Sequence, residues 1–375
     1  MTKGWAEKLL GDVITLQRGF DLPERERAVG TVPIVSSSGI TGYHSASKVR
    51  APGVVTGRYG TLGEVFYIDT DFWPLNTTLW VKDFKDNDPH YVSYLLRTLN
   101  LGLQNAAGAV PGVNRNALHM LPVRIPPRCA QEKIASVLSA YDDLIKNNTR
   151  RIKILEQMAQ LLYREWFVNF RFPEHKKVKL AESEMGLIPD GWKVGKLADI
   201  AQIQWGDTSV TKSAYVNEDG YRAFSASGPD GKLNYFDFDR SGIVLSAIGA
   251  NCGLTWYATG KWSCIKNTIC FWADNGKATD EFLYFATRGK EFWPKRGSAQ
   301  PFVSQGDARS IKLVIPPPEL THKFAEMTAP KMLLSETLRS KVENLRRTRD
   351  LLLPKLVSGE ISVERLEAEV PVQTL

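Results

Sequence analysis

"GWKVGKLADIAQIQWG", residues Gly191 to Gly206, restates a phrase already present near the start of the chain, "GWAEKLLGDVITLQRG", residues Gly4 to Gly19. Aligned without a gap, the two share Gly, Trp, Leu, Asp, Gln and Gly at the same offsets, and Val13 meets Ile200 while Leu16 meets Ile203. They stand 187 residues apart in a chain of 375. A period of half the chain predicts a duplicated domain, since a solenoid needs three or more units.

The echo continues downstream. "SSSGI" (Ser36 to Ile40) returns as "SASGP" (Ser225 to Pro229), and Gly53 and Gly60 return as Gly242 and Gly249. "WPLNTTLW" (Trp73 to Trp80) aligns with "WSCIKNTICFW" (Trp262 to Trp272), which pairs Asn76-Thr77 with Asn267-Thr268. "LPVRIPP" (Leu121 to Pro127) returns as "IKLVIPP" (Ile311 to Pro317). Within each unit, "PGVVTGRYGTLGEVFYI" and "SGIVLSAIGANCGLTWYA" read as strand, glycine turn, strand, and a short helical stretch follows. The units are therefore expected to be mixed α and β.

Beyond each Ile-Pro-Pro the apolar period becomes helical. Leu138, Ile145, Ile152, Leu155 and Leu162 recur at steps of three or of seven, the sum of three and four, with Asn148 interrupting the stripe. The spacing predicts a helix over about Gln131 to Phe167, roughly 55 Å long at 1.5 Å per residue, with Ser139 to Asp143 as the place where it would break. In the second copy Leu334, Leu338, Val342, Leu345 and Leu352 share a face after Pro330, so this helix is expected to be shorter or kinked. Packing the two stripes against each other as an antiparallel coiled coil buries both.

The expected fold class is α+β: two duplicated mixed α/β domains separated by two long helices, with pseudo-two-fold symmetry. The expected order is domain 1–127, helix 128–170, linker 171–190, domain 191–317, helix 318–358 and tail 359–375. The linker is read from a charged, Pro- and Gly-punctuated composition.

Hydrophobic residues at 43% and aromatics at 10% suffice for packed cores, and a net charge of +7 suits a polyanionic partner or simple solubility. The four cysteines form no C-x-x-C pair, no signal peptide is read, and no apolar run reaches the roughly 18 residues of a membrane span. The expectation is a cytoplasmic protein with reduced thiols and no membrane contact.

The tools of catalysis are missing from the sequence. There is no phosphate-binding loop, dinucleotide fingerprint, nucleophile elbow or H-E-x-x-H pair. The histidines His44, His90, His119, His175 and His322 are scattered away from metal-ligand spacing. No Asn-Pro-Pro-aromatic motif of an amino-methyltransferase occurs, since "IPPR" and "IPPP" follow isoleucine. The expected function is binding, with no catalytic residue, no metal and no cofactor on this chain.

The phrase "IPDGWKVGKLADI" with its first copy "KGWAEKLLGDV", the domain exit "LPVRIPPRCAQEKIASVLSAYDDLIKNN" and the helix end "LEQMAQLLYREWFVNF" resemble the specificity subunit (HsdS) of type I restriction-modification systems. The resemblance extends over nearly the whole chain. It implies that each domain is a target recognition domain reading one half of a bipartite double-stranded DNA site. It further implies that the helices set the gap and dock two methyltransferase (M) subunits, with restriction (R) subunits joining through the complex. S-adenosylmethionine and ATP would then belong to those partners.

Base reading calls for long donors in loops, while cations grip phosphates. In the first unit the candidates are Lys48, Arg50, Arg58, Tyr59, Asn114 and Arg115. In the second they are Lys212, Arg222, Lys232, Asn251, Lys266, Arg296, Gln300 and Gln305. Arg58, Asn114, Arg115, Arg296 and Gln305 rank first because Gly or Pro marks their loops. Two other readings stay open from the residues alone: a self-contained adenine-specific DNA methylase, and a duplicated protein-binding scaffold.

Overall fold

The computed structural model describes residues 4–99, 101, 112–217 and 219–363. The chain divides into two compact units, Met1–Asn148 with Lys341–Leu375, and Thr149–Ser340. Both divisions fall inside long helices, so each helix contributes one half to each unit.

The first unit carries a four-stranded antiparallel sheet in the order Thr15–Arg18, Thr78–Asp83, Gly53–Gly57, Val65–Ile68. A three-stranded sheet runs Gly39–His44, Val32–Ser36, Trp73–Pro74, its last pair parallel. Ala6–Leu9 pairs with Pro122–Ile125, joining the beginning of the domain to its exit. The second unit repeats this strand for strand. Its four-stranded sheet runs Ala201–Trp205, Thr268–Ala273, Gly242–Ser246, Thr255–Ala258. Its companion sheet runs Gly228–Leu233, Tyr221–Ser225, Lys261–Cys264 and adds Phe238–Asp239 at the edge. Lys193–Lys196 pairs with Lys312–Ile315. The register repeats too: Leu16 lies opposite Val81, and Ile203 opposite Phe271.

That register corrects one detail of the alignment. Thr78 and Thr268 each open a central strand and each donate their hydroxyl to the carbonyl three residues back, Leu75 O at 2.7 Å and Ile265 O at 2.6 Å. Asn267 therefore stands opposite Thr77 in the repeat, and Lys266 opposite Asn76. Asn267 adopts a left-handed φ of 69°, which a short polar side chain tolerates, and so serves as a turn residue.

A short helix packs on each four-stranded sheet. Asp88 caps Pro89–Thr98 by accepting from Tyr91 N at 2.8 Å, and Thr279 caps Asp280–Ala286 in the same way. Tyr91, Val92, Tyr94, Leu95 and Leu96 enter the core of the first unit with Leu10, Ile14, Leu16 and Leu79. Phe282, Leu283 and Phe285 do the same with Ile203, Leu245 and Phe271 in the second. Trp262 is fully buried and stacks on Phe238 at 4.3 Å, while Cys264 and Cys270 are buried thiols.

The first long helix is unbroken from Arg128 to Tyr163, with no interruption at Ser139 to Asp143, and closes in a π turn over Arg164–Val168. The second runs from Pro318 to Ser358, through Pro330 and Pro354. At 41 residues against 36 it is the longer helix, so Pro330 does not shorten it as one of the two expected outcomes had it. A proline removes one backbone hydrogen bond, and the seam carried by this helix outweighs that local loss. Leu138, Ile145, Leu338 and Val342 are buried, Ile152, Leu155, Leu162, Leu345 and Leu352 are half-buried, and Leu334 is 39% exposed, outside the seam. Asn148 is buried at 8%. The pairing is antiparallel within the second unit, because Glu156 meets Arg339 while Tyr163, Trp166 and Phe167 meet Phe324.

Residues 171–190, read as a linker, carry regular structure. Leu180–Ser183 and Gly186–Pro189 form a hairpin, and Phe172 and Ile188 enter the core of the second unit beside Trp192. Residues 364–375 of the expected tail lie outside the described residues. Among the described residues no helix is long and apolar enough to cross a membrane.

Candidate nucleic-acid interface

In the first unit the backbone after strand Gly53–Gly57 is pinned on both sides. Arg58 N donates to Thr77 O at 2.8 Å, Val113 N donates to Arg58 O at 3.0 Å, and Tyr59 bridges Gly112. A Cβ at Gly112 would lie 2.3 Å from the Tyr59 ring, so only glycine lets the ring settle there. Arg58 stacks over that ring at 4.5 Å. Asn114 follows at once, accepting from Asn116 N at 2.8 Å as the N-cap of helix Arg115–His119. The structure thus brings Arg58, Tyr59, Asn114 and Arg115 together on one rim. Arg115 is exposed and has no ion-pair partner among the described residues. Asn114 spends its acceptor on the helix, which leaves its amide donors free.

The second unit builds the same rim from different side chains. Ala247 N donates to Asn267 O at 3.0 Å, Val303 N donates to Ala247 O at 2.8 Å, and Ile248 bridges Phe302. Ser304 then caps helix Gln305–Ser310 with a capping box closed by Asp307. Gln305 thus stands where Arg115 stands, but its amide donates to Ile203 O at 2.9 Å. Arg296 exchanges both backbone hydrogen bonds with Phe302 at 2.9 Å, and its guanidinium meets Asp307 at 2.5 Å. That contact, with the Ser304 hydroxyl, holds the Asp307 carboxyl below the usual carboxylate range. Gln300 is exposed at the turn of this hairpin, and Asn251 is half-buried in the loop whose Gly249 N donates to Pro301 O at 2.9 Å.

The other candidates lie apart from the rim. Lys48 sits over Trp73 at 5.0 Å, and Arg50 is exposed nearby. Lys212 pairs with Asp230 at 2.5 Å, and Arg222 pairs with Glu336 of the second long helix. Both cations are committed within the fold. Lys232 and Lys266 are exposed.

One rim residue escapes a reading of donors alone. Phe302 occupies the place of Gly112, and Ile248 that of Tyr59, so the aromatic ring sits on opposite sides of the same backbone bridge in the two units. Both rings are 38% exposed. The glycine-for-aromatic exchange between aligned copies was the available signal.

Three of the histidines serve the scaffold. His119 Nε2 accepts from Leu16 N at 3.0 Å, and burial lowers its pKa, which keeps the ring neutral as that role requires. His44 Nδ1 accepts from Ala28 N at 3.0 Å, and His90 stacks on Tyr67 at 3.7 Å. Among the described residues no three His, Cys, Asp or Glu side chains gather as a metal site would need.

Comparison with known proteins gives this arrangement its relatives. Residues 2–157 and 189–327 match the family described as type I restriction modification DNA specificity domain. The chain is 24% identical over 326 residues to the type I restriction enzyme MjaIX specificity subunit of Methanocaldococcus jannaschii, covering 78% of this chain and 74% of that one. It is 23% identical over 339 residues to the HindI specificity subunit of Haemophilus influenzae, covering 69% and 73%. Its fold resembles the crystal structure of the S subunit of the type I restriction-modification system from M. genitalium, with a TM-score of 0.72, 16% identity and 94% of this chain covered. With one matched region in each half and the same strand order in both, the chain belongs to the type I restriction modification DNA specificity domain family and carries two target recognition domains.

Proposed function

We propose that the chain is the sequence-reading subunit of a type I restriction-modification enzyme, each domain reading one half of a bipartite double-stranded DNA target from the major groove. The observation that carries this reading is the rim built twice, on the same backbone bridge, from side chains that differ. A common scaffold with different tips suits two different DNA words. Arg58 and Arg115 supply guanidinium donors for guanine or phosphate, and Tyr59 and Phe302 supply apolar surface for a thymine methyl.

The long helices set the gap between the words and dock two methyltransferase subunits, and restriction subunits join through that complex. The chain contributes no catalytic group. S-adenosylmethionine and ATP belong to the partners, and the assembly works beside DNA in the cytoplasm. Mapping methylated adenines in cells carrying the complete modification complex tests the reading. The expected result is one bipartite motif with a fixed gap that disappears when this chain is deleted. Methylation unchanged by the deletion would overturn it.

A further inference from the structure

In both units one carboxylate of the first long helix stands between two arginines, one from the domain and one from the second long helix. In the first unit Asp142 accepts from Arg97 at 3.2 Å, from Arg349 at 2.5 Å and from the Tyr94 hydroxyl at 2.8 Å. In the second unit Glu156 pairs with Arg288 at 3.9 Å and with Arg339. Arg339 also meets Glu336 at 3.0 Å, and Glu336 pairs with Arg222 in strand Tyr221–Ser225. The charges therefore leave the second domain at Arg288, cross both helices and re-enter the domain at Arg222.

Shared descent explains only part of this. Arg97 and Arg288 are equivalent, each nine residues past its helix cap, Asp88 or Thr279. The acids are not equivalent. Counted from the starts of the long helices, Arg128 and Pro318, the position of Asp142 is held by Met332, and that of Glu156 by Arg346. The two halves reach one arrangement from different residues, as a mechanical requirement common to both would demand.

The placement shows what that requirement is. In the first unit the helix is seated in the domain core through Ile134, Ala135 and Leu138. Asp142 lies about 6 to 12 Å further along the axis. There the packing has opened into a cleft of about 940 Å³, which Arg97, Asp142 and Arg349 help to line opposite strand Val65–Ile68. In the second unit Ala159, Trp166, Phe167 and Phe324 form the seat, and Glu156 lies about 5 to 16 Å from it. A domain attached at one point can rock on its helix. A second attachment along the axis fixes the angle.

We infer that Arg97–Asp142–Arg349 and Arg288–Glu156–Arg339 are angular locks, positioning residues that hold each recognition domain at a set tilt on the helices and so make the gap between DNA words strict. This rests on the proposed reading of bipartite DNA. The paired side chains are between 21% and 46% exposed, so they bias an angle without being needed for folding.

Arg97→Gln and Arg288→Gln each remove the domain's arginine from its lock while leaving the helix-to-helix pair, with the Tyr94 hydroxyl still on Asp142 and Arg222 still on Glu336. Adenine methylation is mapped in cells carrying the complete modification complex with the parent chain, each variant, both together, and Arg97→Lys. The expected result is that both words survive in every variant, while the share of methylated sites with a gap one base pair too long or short rises at least tenfold. The double variant should be looser than either single one, and Arg97→Lys should restore part of the strictness. Variants as strict as the parent, or variants that lose a word and keep the gap, would overturn the locks alone. A parent that methylates no bipartite site would overturn the functional reading and the locks with it.

Discussion

Gly112 and Tyr59 illustrate how one residue's size decides what its neighbour can do. The glycine makes room for a ring, and the ring carries the Arg58 guanidinium at 4.5 Å, so a long, flexible side chain is presented in one direction. Arg58→Ala should weaken binding by about 1 to 3 kcal/mol at targets bearing the correct first word and leave discrimination at the second word intact, as titrations with duplexes altered in one word would show. Uniform weakening at every sequence would mark Arg58 as a phosphate contact instead. Asp142 allows a second test. Burial pushes its carboxyl up, but hydrogen bonds from Arg349 and Tyr94 and the charge of Arg97 outweigh burial and hold it below the usual carboxylate range. A carboxylate with a depressed folded pKa adds stability above its unfolded value, near 3.9, and loses it as pH falls through the folded value. Asp142→Asn should therefore lower the thermal midpoint at pH 7 and leave the chain less sensitive to acidification below about pH 4. At this scale the sequence was legible in part. Glycine and proline marked the rim loops, and Arg58, Tyr59, Asn114 and Arg115 do meet there. The commitments of Gln305 to Ile203, Arg222 to Glu336 and Lys212 to Asp230 arise from tertiary contacts between residues far apart in the chain, which residue type cannot reveal.

The strand pairs Gly53–Gly57 with Val65–Ile68 and Gly242–Ser246 with Thr255–Ala258, the short helix after each, and the stripe residues other than Leu334 followed from periodicity, because alternation and three-four spacing are imposed by burial on one face. The second long helix is where local reasoning fell short. Pro330 argues for an early end or a kink, and the early end does not occur, since Phe324 and Leu338 on either side are buried and Arg339 is tied to Glu156. Pro330 is exposed and leaves the Glu326 carbonyl without its helical donor. Pro330→Ala should stabilise the chain by about 1 to 3 kcal/mol, seen as a thermal midpoint raised by roughly 2 to 4 °C per kcal/mol. An unchanged or lower midpoint would mean that the proline relieves a strain elsewhere. The hairpin at 180–189 was hidden by composition: a run rich in charge reads as solvated chain, and only Gly186, at a φ of 93°, marks its turn.

For the whole molecule, duplication was the strongest message in the sequence, because two copies of one fold act as a two-member alignment within a single chain. The offset grows from 187 residues at the opening phrase to 190 at Ile-Pro-Pro, and the strands pair as that drift requires. The path of the chain between the copies was not legible, since nothing in a periodic stripe says which half of a long helix joins which core. The first compact unit needs the chain's last helical half, from Lys341 on, whereas Thr149–Ser340 is one continuous stretch. During synthesis on the ribosome, the module encoded second can close its core while the module encoded first still waits for Leu356 and Val357 to emerge. The usual order of maturation is reversed, and a nascent chain stopped just short of Lys341 would hold a finished rear module behind an incomplete front one.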